Sequence, residues 1–286
     1  MPELPEVETI ARSLREGTAE QPSILNYKIE RVKLFWQSTL AEPAPTKLSR
    51  LIKGRKITDV GRRGKFLMIC LEEVTLLVHL RMSGDLLIRM GDFPPDKHDR
   101  LILWLRNSAG ETMQLAFNDP RKFGRVWATI DPQRILSTLG PEPLDAALTP
   151  TNFYKSLIRR KRLLKPLLLD QTFLAGLGNI YTDEVLHLAK LHPLHRSDSL
   201  TENDAQRLLN AIRSILTEGI ARNGATIDWV YRGGEFQNHF RVYGREGQPC
   251  PECGTPITRL VVGQRGTHVC ETCQKNSVDE NPREIT

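Results

Sequence analysis

The spacing of apolar and polar positions changes character twice along this chain of 286 residues. Over residues 5–16, Val7, Ile10, Ala11 and Leu14 recur at i, i+3, i+4 and i+7, which predicts a short helix with one buried side. Pro5 suits its first turn, and Glu6 and Glu8 suit the positive end of its dipole. From about Asn26 to Ile130 the period shortens to that of strands. NYKIERVKLF, RKITDVG, KFLMICL, TLLVHLRM, DRLILWLRN, ETMQLAF and RVWATI, divided by turn residues, predict an antiparallel β-sandwich. The segment LGPEPLDAALTP, with Pro141, Pro143 and Pro150, marks a domain boundary. Helical spacing then returns in TNFYKSLIRRKRLLK and PLLLDQTFLAGLGNIYTDEVLHLA, the latter hinged at Gly176, Leu177 and Gly178. It continues in a helix opened by Thr201 and Asp204, striped by Ala205, Leu208, Leu209, Ile212, Ile215 and Leu216, and closed by Asn223-Gly224.

The last part of the chain is a cysteine module followed by polar residues. Taken together the pattern predicts an α+β multidomain protein: residues 1–135 as the sandwich with its N-terminal helix, 136–235 as a helical domain, 236–275 as the cysteine module, and 276–286 as a disordered tail. No internal repeat is visible.

Composition narrows the class. Hydrophobic residues make up 40% and charged residues 26% of the chain, within the range of soluble globular proteins. No apolar run approaches the ~18–20 residues of a membrane span. The opening MPELPEVETI is acidic rather than signal-like, so a cytoplasmic location is expected, on the nucleoid if the source is bacterial. The net charge of +6 suits a polyanionic partner. Lys155, Arg159, Arg160, Lys161, Arg162 and Lys165 cluster in one segment, which reads equally as a solvated helix face or as a phosphate footprint.

Two groups carry candidate chemistry. Cys250, Cys253, Cys270 and Cys273 have the spacing C-x2-C-x16-C-x2-C, that of a four-thiolate structural zinc site with no open catalytic position. Between the pairs, TRLVV and THVC predict two strands joined by a turn, with Arg265 at the hairpin tip. Cys70, in an apolar run, reads as a small buried hydrophobe. The second group is the N-terminus. Removal of Met1 would leave Pro2 as a secondary amine with a pKa near the ~7.7–8.0 of α-amino groups, so a useful fraction is neutral and nucleophilic. Glu3 and Glu6 lie close enough in sequence to move protons, although by composition alone PELPEVE is more often a capped helix start.

PELPEVETIAR, RRGKFLMI, HLRMSG, FNDPRKFG, LGPEPL, LLDQTFLAGLGNIYTDEVL and VYGREGQPCPECGTPI resemble, in the same order, the formamidopyrimidine-DNA glycosylase family, over nearly the whole chain. The resemblance implies a sandwich with an N-terminal helix, a helix–two-turns–helix domain and a C-terminal zinc-finger hairpin with one structural Zn2+. It implies a bifunctional glycosylase and AP lyase of base excision repair, a monomer acting on duplex DNA that contains an oxidised base or abasic site. By the same resemblance Pro2 is the Schiff-base nucleophile, Glu3 the acid/base, and Glu6 an acid that organises the site. Lys65 contacts a phosphate near the lesion and aids β-elimination, and Arg265 grips flanking phosphates and supports δ-elimination.

His79, His98, Lys161, Lys165, Asn179 and Tyr243 match further DNA contacts. Met82, Arg121 and Phe123 match the side chains that fill the gap left by a flipped base, since a base inside a duplex cannot be reached. Arg121 and Phe123 are two apart, so an extended segment would point both the same way. The stretch between Asn223 and Tyr243 is shorter than the family's usual segment, which closes over flipped 8-oxoguanine, and Trp229 and Tyr231 offer alternative stacking. That favours ring-opened purines over 8-oxoguanine. The rivals are an endonuclease VIII-like preference for oxidised pyrimidines and a damage-binding protein without catalysis.

Overall fold

A computed structural model of the chain describes residues 1–226 and 233–276. Trp229, Tyr231 and all but the first residue of the expected tail lie outside the described residues. Two compact units are present, one of residues 1–138 with 223–234, the other of residues 139–222 with those from 235 onward.

The first unit opens with α1 (Leu4–Glu16), whose Leu4, Val7, Ile10, Ala11 and Leu14 are buried as the spacing requires. There follow β1 (Lys28–Leu34), β2 (Leu40–Glu42), α2 (Pro45–Ile52), β3 (Asp59–Arg63), β4 (Phe66–Leu71), β5 (Val74–His79), β6 (Asp85–Met90), β7 (Asp99–Arg106), β8 (Thr112–Asn118), β9 (Arg125–Thr129) and α3 (Gln133–Leu136). They form a four-stranded sheet in the order β1-β7-β8-β6 and a five-stranded sheet in the order β2-β9-β5-β4-β3. Val7 and Leu14 of α1 join Ile69, Leu76, Leu103 and Leu115 of both sheets in one apolar core.

The pairing departs from a wholly antiparallel sandwich at one place, where β2 runs parallel to β9. Four elements, β2, α2, β6 and the four-residue α3, had no signal in the sequence. Strand β2 has only three residues, α2 buries only Leu48 and Ile52, and β6 is mostly half-buried with no clean alternation. The apolar run TLLVHLRM leaves the sheet at His79, so residues 80–84 form a loop rather than more strand.

The second unit contains α4 (Pro150–Ile158), α5 (Leu164–Leu169), α6 (Asn179–Leu188), α7 (Glu202–Ala221), β10 (Thr258–Val262) and β11 (Arg265–Val269). Thr201 and Asp204 exchange bonds as a capping box, Asp204 N–H to Thr201 Oγ1 at 3.1 Å and Thr201 N–H to Asp204 Oδ2 at 2.9 Å. Helix α6 is buried from Ile180 to His187, so its acids must be paired inside. Asp183 Oδ1 accepts from Lys165 Nζ at 2.6 Å and its Oδ2 accepts from His268 N–H at 2.9 Å. Glu184 accepts the amides of Arg241, Val242 and Tyr243 at 2.8, 3.0 and 2.8 Å. Burial pushes the Glu184 carboxyl upward, and those amides oppose it.

Lys165 is therefore not the DNA contact its place in a basic run suggested. It is 0% exposed, and its ammonium also donates to Thr267 Oγ1 at 2.8 Å and Gly266 O at 3.1 Å. Lys165→Met should lower the unfolding free energy by about 3–5 kcal/mol by leaving Asp183 without its cation. The same change at exposed Lys161 should stay within about 0.5 kcal/mol. Denaturant unfolding measures both, and equal small effects would contradict a buried role for Lys165.

Candidate active site and nucleic-acid interface

In the first unit the chain start is held down rather than frayed. Met1 is 48% exposed, whereas Pro2 is buried and Glu3, the N-cap residue of α1, is 2% exposed. Glu6 supplies the anchor. Its Oε2 accepts the N–H of Glu3 at 2.8 Å, and its Oε1 accepts the N–H of Ala225 at 2.7 Å. With both oxygens on backbone donors, Glu6 is placed to hold the site rather than to shuttle protons. The neighbouring Gly224 has φ +75° and lies so close that an added Cβ would meet Glu6 Oε1 at 2.6 Å. Only glycine fits there. Arg12 adds a bond to Asn223 Oδ1 at 3.0 Å.

Lys65 sits in the tight turn between β3 and β4, 5% exposed, after Gly64 with φ 56°. Its charge reaches His79, on the strand beside it. His79 is nearly buried, edge-on to Phe66 at 4.8 Å, and its Nδ1 accepts the N–H of Arg81 at 3.1 Å. Burial first, then the charges of Arg81 and Lys65, push its pKa down to about 3. His79 is thus a neutral ring that fixes the loop after β5 through Nδ1, so any DNA contact it makes is as a neutral N–H donor rather than as a cation.

That loop and the turn of residues 119–124 bring three expected residues together. Met82, Arg121 and Phe123 are all exposed, and Arg121 Nη1 lies 3.9 Å from Met82 Sδ. The segment carrying Arg121 and Phe123 is a turn, with Lys122 at φ 61°, and not the extended stretch their spacing suggested. His98 is half-buried beside it, its carbonyl accepting the N–H of Asp119 at 2.9 Å.

In the second unit Asn179 opens α6. Its Nδ2 donates to Gly266 O at 3.0 Å, and its Oδ1 is buried without a partner. Lys155, Arg159, Arg160 and Lys161 are exposed. Tyr243 packs edge-on to His268 at 5.1 Å. Arg265 is exposed at the first position of β11, directly after a two-residue turn in which Gly263 and Gln264 both have positive φ, at 55° and 62°.

The four cysteines of that hairpin converge, their Sγ atoms all within 4.8 Å of one another, with Cys250–Cys273 at 3.9 Å and Cys253–Cys270 at 3.4 Å. Tetrahedral zinc with ~2.3 Å bonds spaces sulfurs by about 3.8 Å, so the donor set fits one Zn2+. Bound there, zinc would neutralise the thiolates and fix the hairpin, with no open coordination position for catalysis. Burial pushes the pKa of His187 down, and its Nε2 lies 3.3 Å from Cys250 Sγ. A neutral ring so placed can donate an N–H to the thiolate.

Sequence reasoning passed over Asp119, Ser83, Asp183 and Glu184. A signal existed for the α6 pair, because two adjacent acids in an otherwise apolar helix imply buried partners.

Comparison with known proteins places the chain. Residues 1–126 match the formamidopyrimidine-DNA glycosylase N-terminal domain, 139–230 the H2TH domain of the same enzymes, and 247–276 a zinc finger found in FPG and IleRS. The chain belongs to the formamidopyrimidine-DNA glycosylase family. A formamidopyrimidine-DNA glycosylase of Herpetosiphon aurantiacus is 43% identical over 282 residues, covering 96% of this chain and 100% of that one. Wild-type Fpg (MutM) of Lactococcus lactis, in complex with DNA containing N7-benzyl-Fapy-dG, superposes with a TM-score of 0.87 at 34% identity, over 96% of this chain and 100% of that one. The L. lactis enzyme in complex with DNA containing an oxidized pyrimidine gives the same score, identity and coverage.

The state of His79 has a measurable consequence. An unfolded histidine takes up a proton below about pH 6.5, while this one does so only near pH 3, so acidification across that window favours the unfolded state. Stability from His79 is full above about pH 6.5 and falls as the pH drops toward 3. Its ring resonances should stay at their neutral positions from pH 8 to about 5. A titration midpoint near 6.5 would contradict the geometry described.

Proposed function

We propose that this protein is a bifunctional DNA glycosylase and AP lyase of base excision repair that removes oxidised purines from duplex DNA, with Pro2 as its nucleophile. The observation that carries the reading is the burial of Pro2 and Glu3, where Glu6 ties the Glu3 amide to Ala225 and so gives the Pro2 nitrogen beside it a fixed place. Met1 must be removed first, because its peptide bond makes the Pro2 nitrogen an amide.

The freed amine attacks C1′ of the damaged nucleotide. The bond from C1′ to the base breaks, and the base leaves with a proton. Glu3 protonates the ring oxygen O4′ as the sugar opens, giving an iminium between Pro2 and C1′. Loss of the C2′ proton then expels the 3′ phosphate, a second elimination expels the 5′ phosphate, and water hydrolyses the remaining iminium to free Pro2 and the unsaturated aldehyde, leaving a one-nucleotide gap with phosphorylated ends. Lys65 and Arg265 hold the phosphates through these eliminations. Met82 and Phe123 fill the vacated stack, and the fork of Arg121 bonds the orphaned cytosine. Lys161, Asn179, His98 and Tyr243 extend the DNA contact, with zinc holding Arg265 at its hairpin. The protein acts as a monomer in the cytoplasm, or on the nucleoid of a bacterium.

Ring-opened formamidopyrimidines are the first substrates and 8-oxoguanine the second. Activity on oxidised pyrimidines is a further reading, favoured by the L. lactis complex with such DNA. Single-turnover excision from duplexes carrying each lesion, opposite cytosine and opposite adenine, tests the ranking. With processed protein, Pro2→Gly should slow excision at least about 100-fold, the scale of losing a positioned nucleophile, while DNA affinity changes by less than about threefold. Full excision by Pro2→Gly with no borohydride-trapped adduct on its own N-terminal amine would show that another group attacks C1′.

A further inference from the structure

The three gap-filling side chains come from two separate loops, Met82 from residues 80–84 and Arg121 and Phe123 from residues 119–124. A wedge built from two loops works only if their spacing is fixed to a fraction of an ångström before DNA arrives. We propose that Asp119 is the positioning residue that locks the two loops into one wedge, and thereby sets how the enzyme refills the duplex and reads the opposite base. This rests on the function proposed above.

Asp119 is 0% exposed, and its carboxylate is used on both sides. Oδ1 accepts the hydroxyl of Ser83, the residue after Met82, and also the N–H of Arg121 at 3.2 Å. Oδ2 accepts the N–H of Gly124, the residue after Phe123, at 2.7 Å. One side chain thus holds the Ser83 hydroxyl beside Met82, the backbone N–H of Arg121 and the backbone N–H beside Phe123. Ser83 Oγ closes the arrangement by accepting from the same Arg121 N–H at 3.2 Å.

The Asp119 backbone is held in turn, its N–H on His98 O at 2.9 Å and its carbonyl on Nε of buried Arg100 at 2.7 Å. Both loops also rest on one ring. A Cβ added to Gly84 would come within 2.8 Å of Phe117 Cε2, and one added to Gly124 within 2.3 Å of Phe117 Cζ. The loops are pressed against the core from below and tied to each other through Asp119. Met82 and Phe123 stay 45% and 53% exposed on top, an arrangement that no folding requirement explains.

Every donor that meets the carboxylate needs an acceptor. An amide in its place must turn an NH2 toward Gly124 N–H or toward Arg121 N–H, so Asp119→Asn keeps the size and breaks the tie. Three readouts test the role: single-turnover excision from a lesion duplex, its preference for cytosine over adenine opposite the lesion, and strand cleavage at a preformed abasic site in a single-stranded oligonucleotide. The last has no stack to refill and no orphaned base.

Asp119→Asn should slow duplex excision about 30-fold, the scale of one or two lost buried bonds. It should erode the cytosine preference and change single-strand cleavage by less than about twofold. Ser83→Ala should show the same split with a loss of about fivefold on duplex. Thermal melting checks that each variant is folded, and if Asp119→Asn is not, Ser83→Ala decides. Parallel losses on both substrates would mean a general structural role and overturn the proposal, as would an unchanged duplex rate in a folded variant. Wild-type protein that cuts neither substrate would overturn the functional reading itself. Wild-type protein that cuts both, matched by the variants, would overturn the positioning role alone.

Discussion

A chain terminus is ordinarily the part of a protein that frays first, so a nucleophile placed there needs a structure that abolishes the fraying. Here that constraint is met by one carboxylate. Glu6 accepts the N–H of Glu3 and that of Ala225, joining the first turn of α1 to a segment more than two hundred residues away. The apolar side of α1 then buries Val7, Ala11 and Leu14 in the sandwich core, which sets the direction of the helix. Gly224 has no side chain because Glu6 occupies the space. Loss of any of these would free the chain end and dilute the amine proposed to attack C1′, and proximity of that kind is a large part of what an enzyme contributes.

The second unit solves a related problem with buried charge. Asp183 and Glu184, adjacent in α6, turn in different directions. Asp183 takes Lys165 and the backbone of β11, while Glu184 takes three successive amides before the cysteine module. The zinc ligands fix the hairpin from one side and α6 fixes it from the other. Exposed Arg265 is thereby presented directly after a two-residue turn, a fixed position that suits the phosphate contact proposed for it. Buried ion pairs contribute little net stability, but they make a wrong docking of the hairpin expensive.

What the sequence made legible was local. The cysteine spacing, the Thr201–Asp204 capping box and the α1 stripe each depend on neighbours a few residues apart, and each is found where expected. The site was legible as a set of residues, through family resemblance, but not as a geometry. Lys165 looked like its exposed neighbours Lys161 and Arg160 because charge runs say nothing about which member turns inward. Family resemblance gave Glu6 an organising role but not its second partner, Ala225, which is distant in sequence. His79 and Asp119 owe their states to burial by other strands, and burial of a single polar residue leaves no periodic trace. The turn at 119–124 was misread as extended because Asn-Asp-Pro signals a turn start but not the positive φ of Lys122.

The central claim is that the nitrogen of Pro2 becomes covalently bound to the sugar. Processed protein lacking Met1 can be mixed with an oxidised-purine duplex and sodium borohydride, digested, and mapped by mass spectrometry. The account predicts a reduced DNA adduct on the peptide that begins at Pro2. An adduct on a lysine instead, or none from correctly processed protein, would contradict it.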